Sequence, residues 1–247
     1  MTPTDKAYKL LAVQEGISNR AAKELIDRGV VYAGGKKVLV ARADIKAGTN
    51  FKVNKLKKPT VIFEDDNITA VDKPPFLTAE EISENFKLTL LHRLDKETSG
   101  VLLLSKNEEF TKKVIEAFKA KKVEKTYLAV VSGKFAEPMN IDTPLQVIKT
   151  KSGAFAKPSK DGQTAISIIT PRLIEGKSSM VEVSIQTGRT HQIRAHLKSV
   201  GFPVIGDEKY GGKASGRIML HAWKISLLGY SFESPLPYEF ANFGKNA

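Results

Sequence analysis

The chain has 247 residues, 41% apolar and 27% charged, an ordinary globular composition with room for one large domain and a small one. It contains no cysteine, which excludes disulfides and thiolate metal sites and fits a cytoplasmic setting, and no apolar run approaches the roughly 18 residues of a membrane-spanning helix. The net charge is +12, and residues 1–58 hold 13 Lys and Arg against 5 Asp and Glu, two thirds of the excess on less than a quarter of the chain, which points to a polyanionic partner, with a plain soluble basic surface as the alternative.

The opening segment MTPTDKAYK lacks an apolar signal core, so no export is expected. Residues 6–14 predict a short helix with Leu10 and Leu11 turned inward. Ser18 is a good N-cap for a second helix, Asn19–Arg28, which Gly29 stops. At about 100° per residue, Ala21, Ala22, Leu25 and Ile26 fall in one arc, and Arg20, Lys23, Glu24 and Arg28 in the opposite one. Residues 30–32 and 37–40 are predicted strands around Gly34-Gly35, a hairpin signal, and residues 44–53 add a turn and a strand. Helix, helix with a basic face, then glycine hairpin, carried by the string SNRAAKELIDRGVVYAGGKKV, resembles the S4 RNA-binding domain. The resemblance covers residues 1–53 and implies that Arg20, Lys23, Lys36 and Lys37 touch RNA phosphates. Taken singly, each is also what a solvated surface cation looks like.

The basic segment 54–59, NKLKKP, lacks apolar periodicity and is the expected linker to a second domain, residues 60–247. Residues 61–63 and 68–72 predict strands around an acidic turn at 64–67, and Lys73-Pro74-Pro75 stops the second of them. A loop then leads to HRLDKETSG, residues 92–100. Arg93, Asp95, Lys96 and Glu97 crowd together there, and Thr98, Ser99 and Gly100 bend the chain into the apolar run 101–104. In an extended segment Arg93 and Asp95 share a face. By themselves these residues allow a solvated turn with an incidental ion pair, or an acid carried to the lip of a sheet. HRLDKETSG resembles the catalytic signature of the RluA-type pseudouridine synthases, and DKPP resembles the segment that precedes it in that family. The family's catalytic aspartate matches Asp95.

Beyond the signature, residues 108–121 predict a helix whose Phe110, Val114 and Phe118 recur at core spacing. EKTYLAVV, residues 124–131, is β-rich. Residues 142–149 and 165–173 predict strands separated by a basic Gly/Ser/Lys loop at 149–160. In residues 180–186, Val181, Val183 and Ile185 alternate against Glu182 and Ser184. TGRTHQIRAHLKSVG then turns at Gly188 and runs as a helix to about Val200, 202–210 is an irregular loop, 218–228 a strand, and the aromatic tail packs back. Strands in series with two substantial helices argue an α+β domain. The family resemblance implies a curved, mainly antiparallel mixed sheet with a central catalytic cleft, the pseudouridine synthase fold, beside a small N-terminal α/β S4-like domain.

Pseudouridine formation breaks the N1–C1′ glycosidic bond of uridine and joins C5 to C1′, so the uracil is detached, turned and reattached. The base is first flipped out of its RNA fold. Asp95 supplies a carboxylate, as nucleophile at C1′ or C2′ or as a base. By resemblance, Arg189 is the cation that pairs with Asp95, and its plainer reading is a phosphate clamp or structural ion pair. Tyr127 matches the family's active-site tyrosine, offering a face for uracil and a hydroxyl for proton transfer, where composition alone makes it a strand aromatic. The resemblance also implies that Lys125 contacts the substrate, that Arg93 inserts where the base left or binds its phosphate, and that Leu220 packs on the uracil, its plainer reading being core; Ile205 is either a pocket wall or core. His191 and His196 are five apart and diverge by about 140° on a helix, without H-E-x-x-H spacing, so no metal is expected. An isomerisation calls for no cofactor. The expected partner is RNA, ribosomal before transfer RNA, with no membrane, for a monomeric enzyme. A catalytically idle RNA-binding assembly factor and a nucleoside or glycoside hydrolase are the competing classes; hydrolases usually pair two carboxylates, and no second one stands out.

Overall fold

The computed structural model describes residues 3–150 and 153–245. The chain divides into two compact units, Met1–Lys57 and Lys58–Ala247.

The N-terminal unit runs β1 (Thr4–Lys6), α1 (Ala7–Glu15), α2 (Asn19–Arg28), β2 (Val31–Ala33), β3 (Lys36–Lys37), β4 (Asp44–Lys46) and β5 (Phe51–Val53). Ser18 caps α2 by accepting the Ala21 N–H at 3.2 Å, and Gly29 ends it in the left-handed conformation at φ 78°. Strands β3, β2 and β5 form one small antiparallel sheet, while β1 and β4 pair separately. The Gln14 side-chain amide acts like an extra strand residue: it donates to the Phe51 carbonyl and accepts its N–H, both at 2.7 Å. Leu11, Ala22, Ile26, Val31 and Phe51 fill the interior; Leu10, expected inward, is only half-buried because the buried arc of α1 centres on Ala7 and Leu11.

The second unit is built on a ten-stranded sheet. In chain order it comprises β6 (Thr60–Glu64), β7 (Ile68–Lys73), α3 (Ala79–Phe86), β8 (Thr89–Leu90), β9 (Ser99–Ser105), α4 (Glu108–Lys119), β10 (Glu124–Ser132) and β11 (Met139–Ile141). There follow β12 (Leu145–Thr150), β13 (Gly153–Pro158), β14 (Ser167–Glu175), β15 (Ser178–Ile185), α5 (Gln192–Ser199), β16 (Leu220–Leu227), β17 (Tyr230–Glu233) and α6 (Tyr238–Ala241). The order across the sheet is β11-β14-β15-β10-β16-β9-β7-β6, with β17 added to β16 and β8 to β9. All of these pairs are antiparallel except β16 with β9.

Strand β9 is buried along its whole length and covered on both faces, which explains its unbroken apolar run. Val101 and Leu103 pack with Phe110 and Val114 of α4, whereas Leu102 and Leu104 pack with Ile82 of α3. A second core joins β10, β15 and the inner face of α5, and Phe240 of the tail closes it.

Two elements differ from the sequence expectation. The segment before HRLDKETSG contains α3, whose start is a reciprocal capping box. Thr78 Oγ1 accepts the Glu81 N–H at 3.1 Å, and Glu81 Oε2 accepts the Thr78 N–H at 2.8 Å. Half of the expected basic loop at 149–160 is β13, paired with β12 because Ala156 and Phe155 find cover against Tyr210 and Ala195; Lys151 and Ser152 lie outside the described residues. Phe118, expected in the core, packs against it from the end of α4 while remaining half-buried.

Candidate active site

The loop from His92 to Thr98 feeds the strand pair that alone in the large sheet runs parallel. Gly100, at φ 119°, crosses β16 so closely that a Cβ would stand 2.1 Å from the Ala222 carbonyl oxygen. No other residue fits there, and the crossing presses the loop onto β16. Leu94 anchors the loop from below, buried with Leu102 and Ile82. Lys73, fully buried, points its ammonium at three carbonyls: Pro74 at 3.0 Å, Leu77 at 2.6 Å and Lys96 at 3.1 Å. Burial drives this lysine down to about 7, and the charge of Asp95 pulls the other way. Beside it Ser99 Oγ meets His221 Nδ1 at 2.8 Å and accepts from Arg217. Burial, then the charge of Arg217, holds His221 at about 3 and therefore neutral.

Asp95 is thus lifted from this braced loop to the floor of a cleft with an empty volume of ≈ 450 Å³, its open mouth included. Its cation is Arg194, whose Nη1 donates to Oδ2 at 3.0 Å. The rest of the Arg194 fork is clasped by buried Asp207, through Nε to Oδ2 at 2.6 Å and Nη2 to Oδ1 at 2.9 Å. Burial alone would lower the pKa of this guanidinium, but its bonds to Asp207 and the charges of both carboxylates outweigh burial and raise it. His191 Nε2 stands 3.7 Å from Asp95 Oδ2, while its Nδ1 meets Tyr210 Oη at 3.1 Å. Tyr210 is itself pinned by the Ala156 N–H at 2.7 Å, so the unforeseen strand β13 buttresses the centre.

The expected partner of Asp95, Arg189, is placed elsewhere. It lines the cleft from the turn before α5 and donates through Nε to the Thr164 carbonyl at 3.1 Å. The correction is a matter of phase: α5 begins at Gln192, and Arg194 lies on its buried face, whereas Arg189 precedes the helix and is exposed. Two arginines in one short motif look alike in sequence, and only burial separates them. Arg194, Asp207 and Tyr210 were not singled out by the sequence reading, and His191 was weighed there only as a metal ligand. The signal for the first pair was an acid in the irregular loop after α5, at Asp207, that had to be satisfied if buried.

Tyr127 and Leu220 face the same cleft from β10 and β16. Desolvation and, second, the charge of Asp95 push the Tyr127 hydroxyl up, so it stands as a neutral phenol. Ile205 packs into the core beside β10. Arg93 is exposed and pairs with Glu80 at 3.0 Å, not with Asp95. In the N-terminal unit Arg20 pairs with Glu24 at 3.2 Å, Lys23 lies 4.3 Å over the Tyr8 ring, and Lys36 and Lys37 form β3. The arrangement is a carboxylate held by a buried guanidinium, an apolar wall and a neutral phenol around one cleft.

A sequence profile of the RNA pseudouridylate synthase family matches residues 50–199. A Helicobacter pylori J99 protein described as an uncharacterized RNA pseudouridine synthase is 53% identical over 240 residues, 96% of this chain and 99% of that one. Ribosomal large subunit pseudouridine synthase C of Rickettsia felis is 34% identical, covering 84% of this chain and 75% of its own, and tRNA pseudouridine synthase C of Haemophilus ducreyi is 34% identical, covering 66% and 82%. In fold, the chain is similar to human RNA pseudouridylate synthase domain containing 1, with a TM-score of 0.64 at 24% identity over 78% of this chain and 88% of the other.

Proposed function

The chain belongs to the RNA pseudouridylate synthase family, RluA-type, and is an RNA pseudouridine synthase; from that premise we propose that it modifies large-subunit ribosomal RNA, with Asp95 as the reacting carboxylate and an S4-like N-terminal unit as its RNA anchor. The observation that carries the residue assignment is the Asp95–Arg194 contact at 3.0 Å on the floor of the cleft. Arg194 orients the carboxylate toward the sugar of an extruded uridine. Leu220 packs on one side of the uracil, and Tyr127 offers its ring and hydroxyl on the other. Once C5 is joined to C1′, its proton must leave. The charge of Asp95 is one of two forces that keep Tyr127 protonated. Where Asp95 has bonded to C1′, joining C5 there breaks that bond and restores the carboxylate, which then takes up the C5 proton, directly or relayed through the Tyr127 hydroxyl.

Ribosomal RNA is favoured over transfer RNA because the Rickettsia relative, named for the large ribosomal subunit, aligns with more of this chain than the Haemophilus relative named for tRNA. The concentration of charge in residues 1–58 and the capped basic helix α2 support the anchor. RNA tritiated at uracil C5 tests the assignment: the enzyme should release tritium, and Asp95→Asn should bind the RNA without releasing any. Mapping pseudouridine in RNA from a deletion strain tests the target. Loss from tRNA rather than 23S rRNA would refute the ribosomal assignment while leaving the chemistry intact.

A further inference from the structure

A second cavity, ≈ 1230 Å³ with its open mouth, adjoins the catalytic cleft and shares Arg93, Tyr127 and Arg189 with it. Its floor is apolar and aromatic: Leu91, His92, Phe118 and Val123. The His92 and Phe118 rings lie 6.3 Å apart, and Lys125 Nζ sits 5.6 Å over Phe118. His92 is neutral, pushed by burial to about 4. Among the described residues, five cations line the groove and no carboxylate does. Arg93 and Lys119 are committed to Glu80 and Glu116. Lys121, Lys125 and Arg189 have no carboxylate partner among the described residues.

The terminal dipole of α4 accounts for cations at its own end. It does not account for Lys125 on β10 or for Arg189 in the turn before α5, which converge there from elsewhere in the chain. Lys125 loses basicity to burial first and to the charge of Arg189 second, and its Nζ is held by the Thr187 carbonyl at 3.4 Å rather than by an acid. An aromatic platform with an unneutralised cationic rim is the arrangement that single-stranded nucleic acid takes. Phe118 continues the row of Phe110 and Val114: the first two are buried, and Phe118 packs against their core while its half-buried ring also lines the groove.

We propose that this groove is a subsite for the nucleotide flanking the extruded uridine, its base stacked on Phe118 and its phosphate between Lys125 and Arg189. The assignment rests on the RNA-modifying activity of the neighbouring cleft and adds a second point at which the strand is gripped.

The test uses the full chain and total RNA from a deletion strain labelled with [5-³H]uridine, which contains the substrate whichever RNA it is. Tritium release is followed over a range of RNA concentrations. Phe118→Leu keeps the apolar packing but loses the ring; its KM should rise roughly five- to hundredfold, the range of one base–aromatic stack, with kcat within about twofold of wild type. Phe118→Trp should restore KM, and both variants should melt with the wild type. An oligonucleotide around the mapped uridine, with an abasic flanking position, should bring wild type and Phe118→Leu together. A KM for Phe118→Leu within twofold of wild type, or equal impairment in Phe118→Leu and Phe118→Trp, overturns the subsite. Absence of tritium release by the wild type instead overturns the activity on which it rests.

Discussion

Arg194 and Lys73 show how single residues set the geometry around Asp95. Arg194 divides one planar fork between Asp207 and Asp95, so its position is fixed before any substrate arrives. Asp95 was legible in the sequence because its motif is dense with specified positions. Arg194 was not, because choosing it over Arg189 requires the register of α5, and a boundary error of two or three residues changes which side chain faces inward. Lys73 has a different consequence. In the unfolded chain its ammonium titrates near 10.5, and in the fold near 7. Below pH 7 both states hold the proton and the fold carries the whole cost of burying it. Between the two values only the unfolded chain holds it, so stability rises with pH across that window, by at most about 5 kcal/mol. Denaturant unfolding from pH 7 to pH 10 should show wild type gaining stability relative to Lys73→Met. Parallel curves would mean that the buried amine keeps an ordinary affinity for its proton.

At the scale of elements, strands with alternating or solidly apolar runs were readable, since period two and unbroken burial are properties of local sequence. Helix α2 was readable from its caps. Helix α3 was missed although Thr78 and Glu81 hold capping-box spacing, because the prolines before it suggested an irregular loop. Strand β13 was missed because its cover, Tyr210 and Ala195, comes from far along the chain. The crossing of β9 over β16 depends most on a single position. Gly100→Ala places a methyl group inside the van der Waals radius of the Ala222 carbonyl and asks an L residue to hold φ 119°. We expect a loss of at least about 2–3 kcal/mol by chemical denaturation, with Asp95 displaced and turnover lost. A variant with wild-type stability would mean that the parallel pair can part without consequence.

At the scale of the whole molecule, charge is distributed unevenly between a small basic unit and a larger one that holds the cleft. The imbalance was plain from composition, but composition did not say which cations face outward. Arg20, Lys23 and Lys36 lie on the outer parts of α2 and β3, although Arg20 shares its charge with Glu24 and Lys23 leans on Tyr8. If α2 grips RNA, Arg20→Glu with Lys23→Glu should weaken affinity and flatten the dependence of log K on log salt by about 1.4–1.8, the loss of two phosphate contacts. An unaltered slope would remove α2 from the RNA footprint.

The most direct measurement is tritium release from RNA labelled at uracil C5, by wild type and Asp95→Asn side by side, with RNA binding measured on the same samples. Release by the wild type, none by Asp95→Asn, and equal binding by both is the predicted result. Release by Asp95→Asn at the wild-type rate would contradict the assignment of the chemistry to this carboxylate.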